Sequence, residues 1–208
     1  MPRRSSFGHC KACGARAAKS AMSAHLRKCL PATTGAGRSE LQLIRAHAQG
    51  APMFWLDCAV VPAAKLKDLD TLLRRTWLEC CGHLSEFYGA GRRKISMNTR
   101  ISQALDLEGN RLDYEYDFGS TTALVMTLTG VVEAGSSKAV RVVARNEPPT
   151  WPCDVCGQPA TAVCTQCMDE EGGFCCSAHA EKHACGDEML LPVVNSPRMG
   201  VCAYTGEG

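Results

Sequence analysis

The middle of the chain alternates short apolar runs with polar turns, which is the pattern of an antiparallel sheet. Between residues 112 and 118, aromatic and aliphatic residues alternate with acidic ones, as they do in a half-buried strand. The turn-forming residues 49–52 separate two β-prone runs, and later runs are rich in β-branched residues. The pattern predicts five strands, over residues 41–44, 53–61, 112–118, 121–132 and 139–144.

One segment has the periodicity of a helix instead. Apolar residues recur at helical spacing from Leu66 to Cys80, and Gly82 is a typical stop signal. This predicts a helix that packs on the sheet. Cys58, Cys80 and Cys81 are expected to be small core residues. Together, these elements predict an α+β domain with a small antiparallel sheet and a packed helix.

Composition adds an unusual number of cysteines. The chain has 208 residues, of which 45% are hydrophobic and 21% are charged, and no apolar run approaches the roughly 18–20 residues that span a bilayer. We therefore expect a soluble, cytoplasmic protein without a membrane partner. In a reducing compartment, 14 cysteines indicate metal binding rather than disulfides.

The first cysteines have the spacing of a zinc site. Cys10 and Cys13 are separated by two residues, as on a tight knuckle, and His25 and Cys29 lie four apart, on one face of a helix. These four residues resemble the CCHC variant of the zinc finger. No aromatic residue occupies the usual core position, so we expect metal to supply most of the stability of this finger.

The C-terminal region offers nine more candidate ligands, enough for two zinc ions. Their alternating pairs predict an interleaved cross-brace, in which four ligands saturate each ion and leave no position for a catalytic water. Phe174-Cys175-x3-His179 resembles a step of MYND and HIT fingers, which favours Cys175, whereas a B-box would use Cys176. The predicted ligand sets are Cys153, Cys156, Cys175 and His179, and Cys164, Cys167, His183 and Cys185. With the N-terminal finger, the expected cofactor is three zinc ions per chain.

Charge is distributed unevenly between the two ends. Residues 1–40 contain eight Lys and Arg against one acidic residue, whereas residues 151–208 contain two against eight. The first region suits a polyanion and the second repels one. The residues expected to contact DNA or RNA are Arg16, Lys19, Arg27, Lys28, Arg92, Arg93 and Lys94. A merely solvated basic surface is the alternative.

These patterns divide the chain into modules. A CCHC zinc finger at residues 1–31 and a two-zinc, MYND/HIT-like module with a tail at 153–208 flank the α+β core at 41–146. Small and polar residues at 32–40 predict a flexible linker, and the Pro-rich segment at 147–152 predicts a stiff one.

The core also resembles a known family. Its motifs occur in the order Phe-Trp-Leu at 54–56, Phe-Tyr-Gly at 87–89 and Tyr-Asp-Phe-Gly at 116–119. This order is similar to that of the plasmid pRiA4b ORF-3-like family, some members of which carry a cysteine-rich tail like residues 195–202 (Asn-Ser-Pro-Arg-Met-Gly-Val-Cys). The resemblance implies an α+β fold and an association with plasmids and other mobile elements.

The segment that contains Tyr116 to Gly119 has a second interpretation. As a strand that ends at a turn, it would use Asp117, Ser120 and Thr121 to cap exposed amides, and Gly119 would supply a positive φ. The same three polar residues form a candidate ligand turn, although such residues more often only cap.

The sequence therefore predicts a non-enzymatic zinc-binding adaptor. It would bind nucleic acid through its basic N-terminal region and a protein through its acidic C-terminal zinc module. A purely protein–protein interaction module is the alternative. An enzyme with its site at the Asp117 turn is the third hypothesis, but no histidine pairs with another catalytic group at recognisable spacing.

Overall fold

The chain folds into two units that interleave along the sequence. The computed structural model describes residues 6–33, 38–136, 138–169 and 172–206. The first unit, which we call the sheet unit, consists of Met1–Leu73 and Leu84–Glu147. The second, which we call the cysteine-rich unit, consists of Arg74–His83 and Pro148–Gly208.

The sheet unit is built on one nine-stranded sheet in which every pairing is antiparallel. Its strands are β1 (Phe7–Cys10), β2 (Arg16–Ala18), β3 (Arg38–Ala48), β4 (Trp55–Val60), β5 (Ser85–Tyr88), β6 (Lys94–Ile95), β7 (Arg111–Tyr116), β8 (Thr122–Gly135) and β9 (Val140–Asn146). Their spatial order is β2-β1-β9-β4-β3-β8-β7-β5-β6. Three of its helices are α1 (Lys19–Thr33), α2 (Leu66–Leu73) and α3 (Ile101–Leu107).

The α+β class and the five predicted strands are confirmed, since β3, β4, β7, β8 and β9 cover the predicted segments. The sheet is larger than predicted because β1, β2, β5 and β6 join it. These four strands have only two to four residues each, which is too short for a periodicity of two to be visible.

The segment expected as a separate N-terminal finger is part of this sheet. β1 pairs with β9, with Gly8 opposite Asn146 and Cys10 opposite Ala144. Met22, Leu26 and Leu30 of α1 are buried in the same core cluster as residues of β3, β4, β8 and β9. The finger therefore draws on the core of the whole unit, which corrects the expectation that metal supplies most of its stability.

A buried ion pair holds α1 over the sheet. Arg45 and Asp57 lie directly opposite each other on β3 and β4, and both guanidinium contacts to the Asp57 carboxylate measure 2.8 Å. Arg45 also donates a hydrogen bond of 3.2 Å to the Ser23 hydroxyl of α1. Because Asp57 is fully buried, loss of Arg45 would leave an uncompensated charge in the core.

The predicted helix from Leu66 to Cys80 is shorter than its periodicity indicated. Regular α-helix ends at Leu73, and the wider π-helical turn Arg74–Leu78 continues it. The buried face is as predicted, with Leu66, Leu69 and Trp77 fully enclosed.

The cysteine-rich unit has a much smaller framework. β10 (Ala162–Cys164) lies between β11 (Phe174–Cys175) and β12 (Leu190–Pro192), and the short helix α4 (Ser177–Ala180) follows β11. Trp151 stacks on Phe174 with ring centroids 4.7 Å apart. Among the described residues of this unit, the buried apolar side chains other than cysteine are Trp77, Leu78, Val163, Met199 and Tyr204. So few apolar side chains make a small core, and such units usually need covalent or metal cross-links.

The linker predicted over 32–40 lies partly outside the described residues, which omit 34–37. On either side of that gap, α1 extends to Thr33 and β3 begins at Arg38. The Pro-rich segment 147–152 contains no helix or strand. Within the described ranges, no helix combines the length and apolar character needed to cross a membrane.

We predict that Gly8→Ala destabilises the sheet unit. A Cβ at this position would lie 2.3 Å from the Arg145 carbonyl oxygen and 2.6 Å from the Trp55 ring. The resulting shift of β1 should lower the free energy of unfolding by about 1–3 kcal/mol, as overpacking generally does. Urea denaturation measures this loss. Gly119→Ala is the matched control, because its Cβ would meet only the Asp117 carboxylate at 3.4 Å; an equal loss in both variants would contradict the prediction.

Candidate metal centres

The four predicted N-terminal ligands converge on one point. Cys10 ends β1, Cys13 lies in the turn before β2, and His25 and Cys29 lie on α1. The Sγ atoms of Cys10 and Cys29 are 3.9 Å apart, and the Cys13 Sγ lies 3.3 Å from the His25 Nε2. All four ligand atoms lie within 4.8 Å of one another.

These spacings fit a tetrahedral metal ion. With Zn–S of about 2.3 Å and Zn–N of about 2.0 Å, the edges of the tetrahedron are about 3.8 Å between two sulfurs and about 3.6 Å between sulfur and nitrogen. The two measured contacts fall within about 0.3 Å of these edges. The residues present therefore suit zinc, and a small rearrangement would admit the ion.

The C-terminal ligands form the predicted cross-brace. One cluster takes the first and third pairs along the chain, Cys153, Cys156, Cys176 and His179, and the other takes the second and fourth, Cys164, Cys167, His183 and Cys185. In the first, Cys156 and Cys176 are 3.8 Å apart and Cys153 lies 3.5 Å from the His179 Nδ1. In the second, Cys167 and Cys185 are 3.5 Å apart.

One predicted ligand is wrong: Cys176, not Cys175, joins the first of these clusters. Successive side chains of a strand point to opposite faces, so only one of two adjacent cysteines can face the site. Cys175 belongs to β11 and is buried, whereas Cys176 lies just beyond the strand, with its Sγ 3.3 Å from the His179 Nδ1.

Cys175 instead lies beside a ligand of the second cluster. Its Sγ is 3.8 Å from the Nδ1 of His183. That contact leaves the other ring nitrogen, Nε2, which is buried and finds no hydrogen-bond partner among the described residues. An unsatisfied buried nitrogen within a set of three thiols is the feature expected of a metal ligand, and Cys175 is placed to orient its ring.

A fourth cluster was missed by the sequence analysis. Cys80, Cys81, His83 and Cys202 bring their ligand atoms within 4.8 Å of one another, and all four belong to the cysteine-rich unit. The signal was present as Cys-Cys-Gly-His at 80–83 and as the last residue of the 195–202 motif, but 119 residues separate His83 from Cys202. Cys80 and Cys81 are therefore not small core residues; Cys81 is exposed.

Taken together, the clusters account for nearly all of the thiols. The chain has 14 cysteines and six histidines, and 12 of the cysteines and four of the histidines lie in four Cys3His sets that are able to hold metal ions. The structure therefore contains four candidate metal sites, one more than the three that the sequence predicts. The two cysteines outside them are Cys58 and Cys175, which are buried, and burial raises the pKa of both thiols.

Cysteines inside the clusters include thiols that ionise readily. A backbone hydrogen bond from Cys176 is the foremost cause that lowers the pKa of Cys153 to about 6. The His83 ring, followed by the Cys81 thiol, lowers the pKa of Cys202 to about 6. Other thiols of the same two clusters shift in the opposite direction: hydrogen bonds with Cys202 and Cys80 raise the pKa of Cys81 to about 12, and the pKa of Cys156 is also raised. In each of these clusters one thiol therefore ionises before its neighbours, and the thiolate is the form that binds metal.

Three of the four N-terminal residues that were predicted to contact nucleic acid contact the protein itself. Arg16 forms two hydrogen bonds with Glu147, of 2.5 and 3.0 Å, and Arg27 donates to the Thr129 carbonyl at 2.8 Å. Lys19 donates to the Pro52 carbonyl at 2.9 Å, and burial lowers its pKa to about 8. Lys28 is exposed.

The basic loop after β5 is similarly engaged. Arg92 pairs with Glu115 at 2.8 Å, Arg93 with Glu108, and Lys94 with Glu86 at 2.8 Å. The Tyr88 ring lies 4.5 Å from the Arg92 guanidinium carbon, which sits over its face, and its hydroxyl donates to Glu86. To contact phosphates, the basic residues of this loop would have to break these ion pairs.

The candidate ligand turn has a different geometry from the one expected. The positive φ belongs to Asp117, at 64°, and not to Gly119. The Asp117 carboxylate accepts a hydrogen bond of 3.0 Å from the Gly119 amide, which makes the turn a capping structure. Ser120 and Thr121 are exposed beside it.

Comparison with known proteins gives little guidance. No protein-family model and no curated protein matches this chain. A crystal structure of a protein of unknown function from Methanosarcina mazei Go1 is similar, with 17% sequence identity and a TM-score of 0.43. The similarity covers 50% of this chain and 67% of that one. The resemblance to the plasmid family stays a prediction.

We predict that Cys176→Ser removes one zinc ion and that Cys175→Ser removes none. Cys176 supplies a ligand atom, whereas Cys175 only contacts the far nitrogen of His183. Native mass spectrometry of the full chain, purified in reductant with zinc, counts the ions. Loss of an ion from Cys175→Ser alone would reverse the assignment, and retention in both would mean that either thiol can serve.

We also predict that chelation unfolds the two units unequally. The sheet unit has a large apolar core and one cluster, whereas the cysteine-rich unit has a small core and three. Metal removal should therefore abolish amide-exchange protection in β10 to β12 and leave it in β3, β4 and β8. Hydrogen exchange with and without a chelator measures this. Equal loss of protection in both units would contradict the prediction.

Proposed function

We propose that the protein is a non-enzymatic zinc-binding adaptor whose cysteine-rich unit binds a basic surface of a partner protein. The observation that carries this proposal is the combination of Cys3His clusters that are able to hold metal ions with an acidic surface in that unit. The clusters would set the shape of the unit, and the acidic side chains would select the partner.

The donor sets support a structural role for the metal. Three thiols and one imidazole complete a tetrahedral shell, and no position remains for a water or a substrate. A catalytic zinc site keeps one such position open. The one carboxylate singled out outside the clusters, that of Asp117, already accepts a hydrogen bond from a backbone amide.

The charges of the cysteine-rich unit support a basic partner. From residue 151 onward, the exposed acidic residues among those described are Asp154, Asp169, Glu181, Asp187 and Glu188. Lys182 is exposed, whereas Arg198 is fully buried. Each loaded Cys3His cluster adds about one further negative charge, because three thiolates outweigh one divalent cation. The field of this unit therefore repels polyanions and attracts cations.

Nucleic-acid binding by the sheet unit is the second candidate. It is favoured by the eight basic residues among the first 40. The contacts within the protein argue against this candidate. Six of the seven predicted residues, all except Lys28, already form hydrogen bonds or ion pairs with other residues of the chain. Exposed ion pairs contribute only about 0–1 kcal/mol each, so phosphates can displace them. An association with plasmids or other mobile elements is compatible with either candidate.

We predict that the full chain binds a lysine-rich peptide through its acidic unit. The triple variant Glu181→Gln, Asp187→Asn, Glu188→Gln should weaken binding by roughly five- to thirtyfold, from about 0.3–0.7 kcal/mol per exposed charge. Fluorescence anisotropy with a labelled peptide measures the dissociation constant. The control Glu40→Gln, Asp106→Asn, Glu133→Gln makes the same charge change in the sheet unit. Equal effects of both triples would refute a directed site.

The same titration with generic duplex DNA and single-stranded RNA tests the second candidate. Replacing Arg16, Lys19, Arg27 and Lys28 together by Ala should abolish most binding, and each lost phosphate contact should lower the log–log salt slope by about 0.7–0.9. Ala at four exposed basic positions elsewhere, Lys67, Arg75, Lys138 and Lys182, is the matched control. If the first quadruple variant binds as tightly as the parent, this candidate is wrong.

A further inference from the structure

We propose that Cys80, Cys81, His83 and Cys202 form a fourth zinc site, which fastens the C-terminal segment 195–204 to the segment 74–83. Both segments belong to the cysteine-rich unit. The proposal concerns the metal content and the folding of this unit, and it holds whichever partner the protein binds.

The distances support a shared ion. The Cys202 Sγ lies 3.3 Å from the Cys81 Sγ and 3.7 Å from the His83 Nε2, and the Cys80 and Cys81 sulfurs are 3.5 Å apart. These contacts are within about 0.5 Å of the edges of a zinc tetrahedron. The contact of 2.9 Å between the Cys81 Sγ and the His83 Nε2 would open by roughly 0.7 Å to admit the ion.

The donor set is the same as that of the other three clusters. Each contains three cysteines and one histidine, with no carboxylate. Neutral thiols would gain little from such an arrangement, since S–H is a weak donor and a weak acceptor. Four convergent soft ligands, drawn from two distant parts of the chain, instead match the preference of zinc for sulfur and imidazole.

The backbone holds these ligands in an unusual conformation. Gly82 has φ of 77°, which lets Cys81 and His83 turn toward the same point. Cys202 has φ of 56°, a left-handed conformation that is unfavourable for a residue with a Cβ. Cys202 is the second residue of a turn in which the Tyr204 amide donates to the Val201 carbonyl at 3.2 Å, and Tyr204 is buried. This turn leaves the Cys202 side chain exposed and places its sulfur among the ligand atoms of the cluster.

The residues before Cys202 are already attached to the unit. The Ser196 hydroxyl donates to the Trp77 carbonyl at 2.6 Å and accepts from the Arg198 amide at 2.9 Å. Gly200 approaches so closely that a Cβ there would lie 2.5 Å from the Met168 sulfur. These contacts place Cys202 next to the other ligands of the cluster. The ion would then bind the end of the segment to residues 80–83.

The fourth cluster differs from the others in its exposure. Cys10, Cys153 and Cys164 each place a buried sulfur in their clusters, whereas no ligand of the fourth cluster is buried. Cys81 and Cys202 are both exposed. Solvent and chelators therefore reach this site more easily, and its ion should be the first to leave.

The test counts zinc in the full chain, purified in reductant and equilibrated with zinc alone. Native mass spectrometry should find about four ions in the parent and about three in Cys81→Ser and in Cys202→Ser. The double variant Cys81→Ser, Cys202→Ser should also hold about three, because both cysteines serve one ion. Cys176→Ser, Cys202→Ser should hold about two, because these cysteines serve different ions.

Trypsin reports on the fastening of the tail. Arg198 is fully buried, and cleavage after it requires the segment to open. Loss of the ion should raise the rate of this cleavage by roughly tenfold or more, since proteolysis follows the population of the open state. Ala203→Ser, an exposed change next to Cys202, is the control and should behave as the parent does.

Three results would overturn the proposal. A parent with three ions, unchanged by Cys202→Ser, would show that the fourth cluster does not bind zinc. An intact mass lighter by two hydrogens in the presence of reductant, lost in Cys202→Ser, would show a Cys81–Cys202 disulfide in place of a metal site. Loss of one ion without faster cleavage after Arg198 would show that the ion does not fasten the tail.

Discussion

The small apolar core of the cysteine-rich unit is the constraint on which the rest of that unit depends. Its three strands have two or three residues each, too few to bury a hydrophobic face, and Trp77, Val163 and Met199 are among the few large side chains that it encloses. Three Cys3His clusters occur in this unit and one in the sheet unit. Convergent ligands therefore occur where hydrophobic burial is scarcest, which is the physical setting in which metal binding and folding become one equilibrium.

In the sheet unit, by contrast, the N-terminal cluster lies next to a large apolar core. Its finger rests on a core shared with β3, β4, β8 and β9, and a buried Arg45–Asp57 pair connects α1 to the sheet through Ser23. The four residues of the N-terminal cluster are positioned by secondary structure that other contacts already hold. The same Cys3His set thus occurs beside a large apolar core in one unit and beside a small one in the other.

The fold was predictable wherever a local pattern specifies it. Alternation identified β7 and the apolar runs identified β3, β4, β8 and β9, because strands of six or more residues display their periodicity. The finger ligands and the interleaved order of the cross-brace followed from spacing alone. Spacing could not choose between Cys175 and Cys176, since that choice depends on where β11 ends and on the direction of each side chain there. The fourth cluster was not predictable, because no local pattern connects His83 with a cysteine 119 residues away.

The pairing of β1 with β9 also affects whether truncated forms of the chain aggregate. β1 pairs with residues 144–146 of β9 on one side, and β4 pairs with β9 on the other. A chain shortened to the core boundary at residue 41 would turn β9 into an open edge and would uncover the apolar residues beneath α1. An unprotected edge next to exposed apolar surface is a template for intermolecular pairing and aggregation. The N-terminal segment that contains β1 and the first cluster therefore also protects an edge of the sheet.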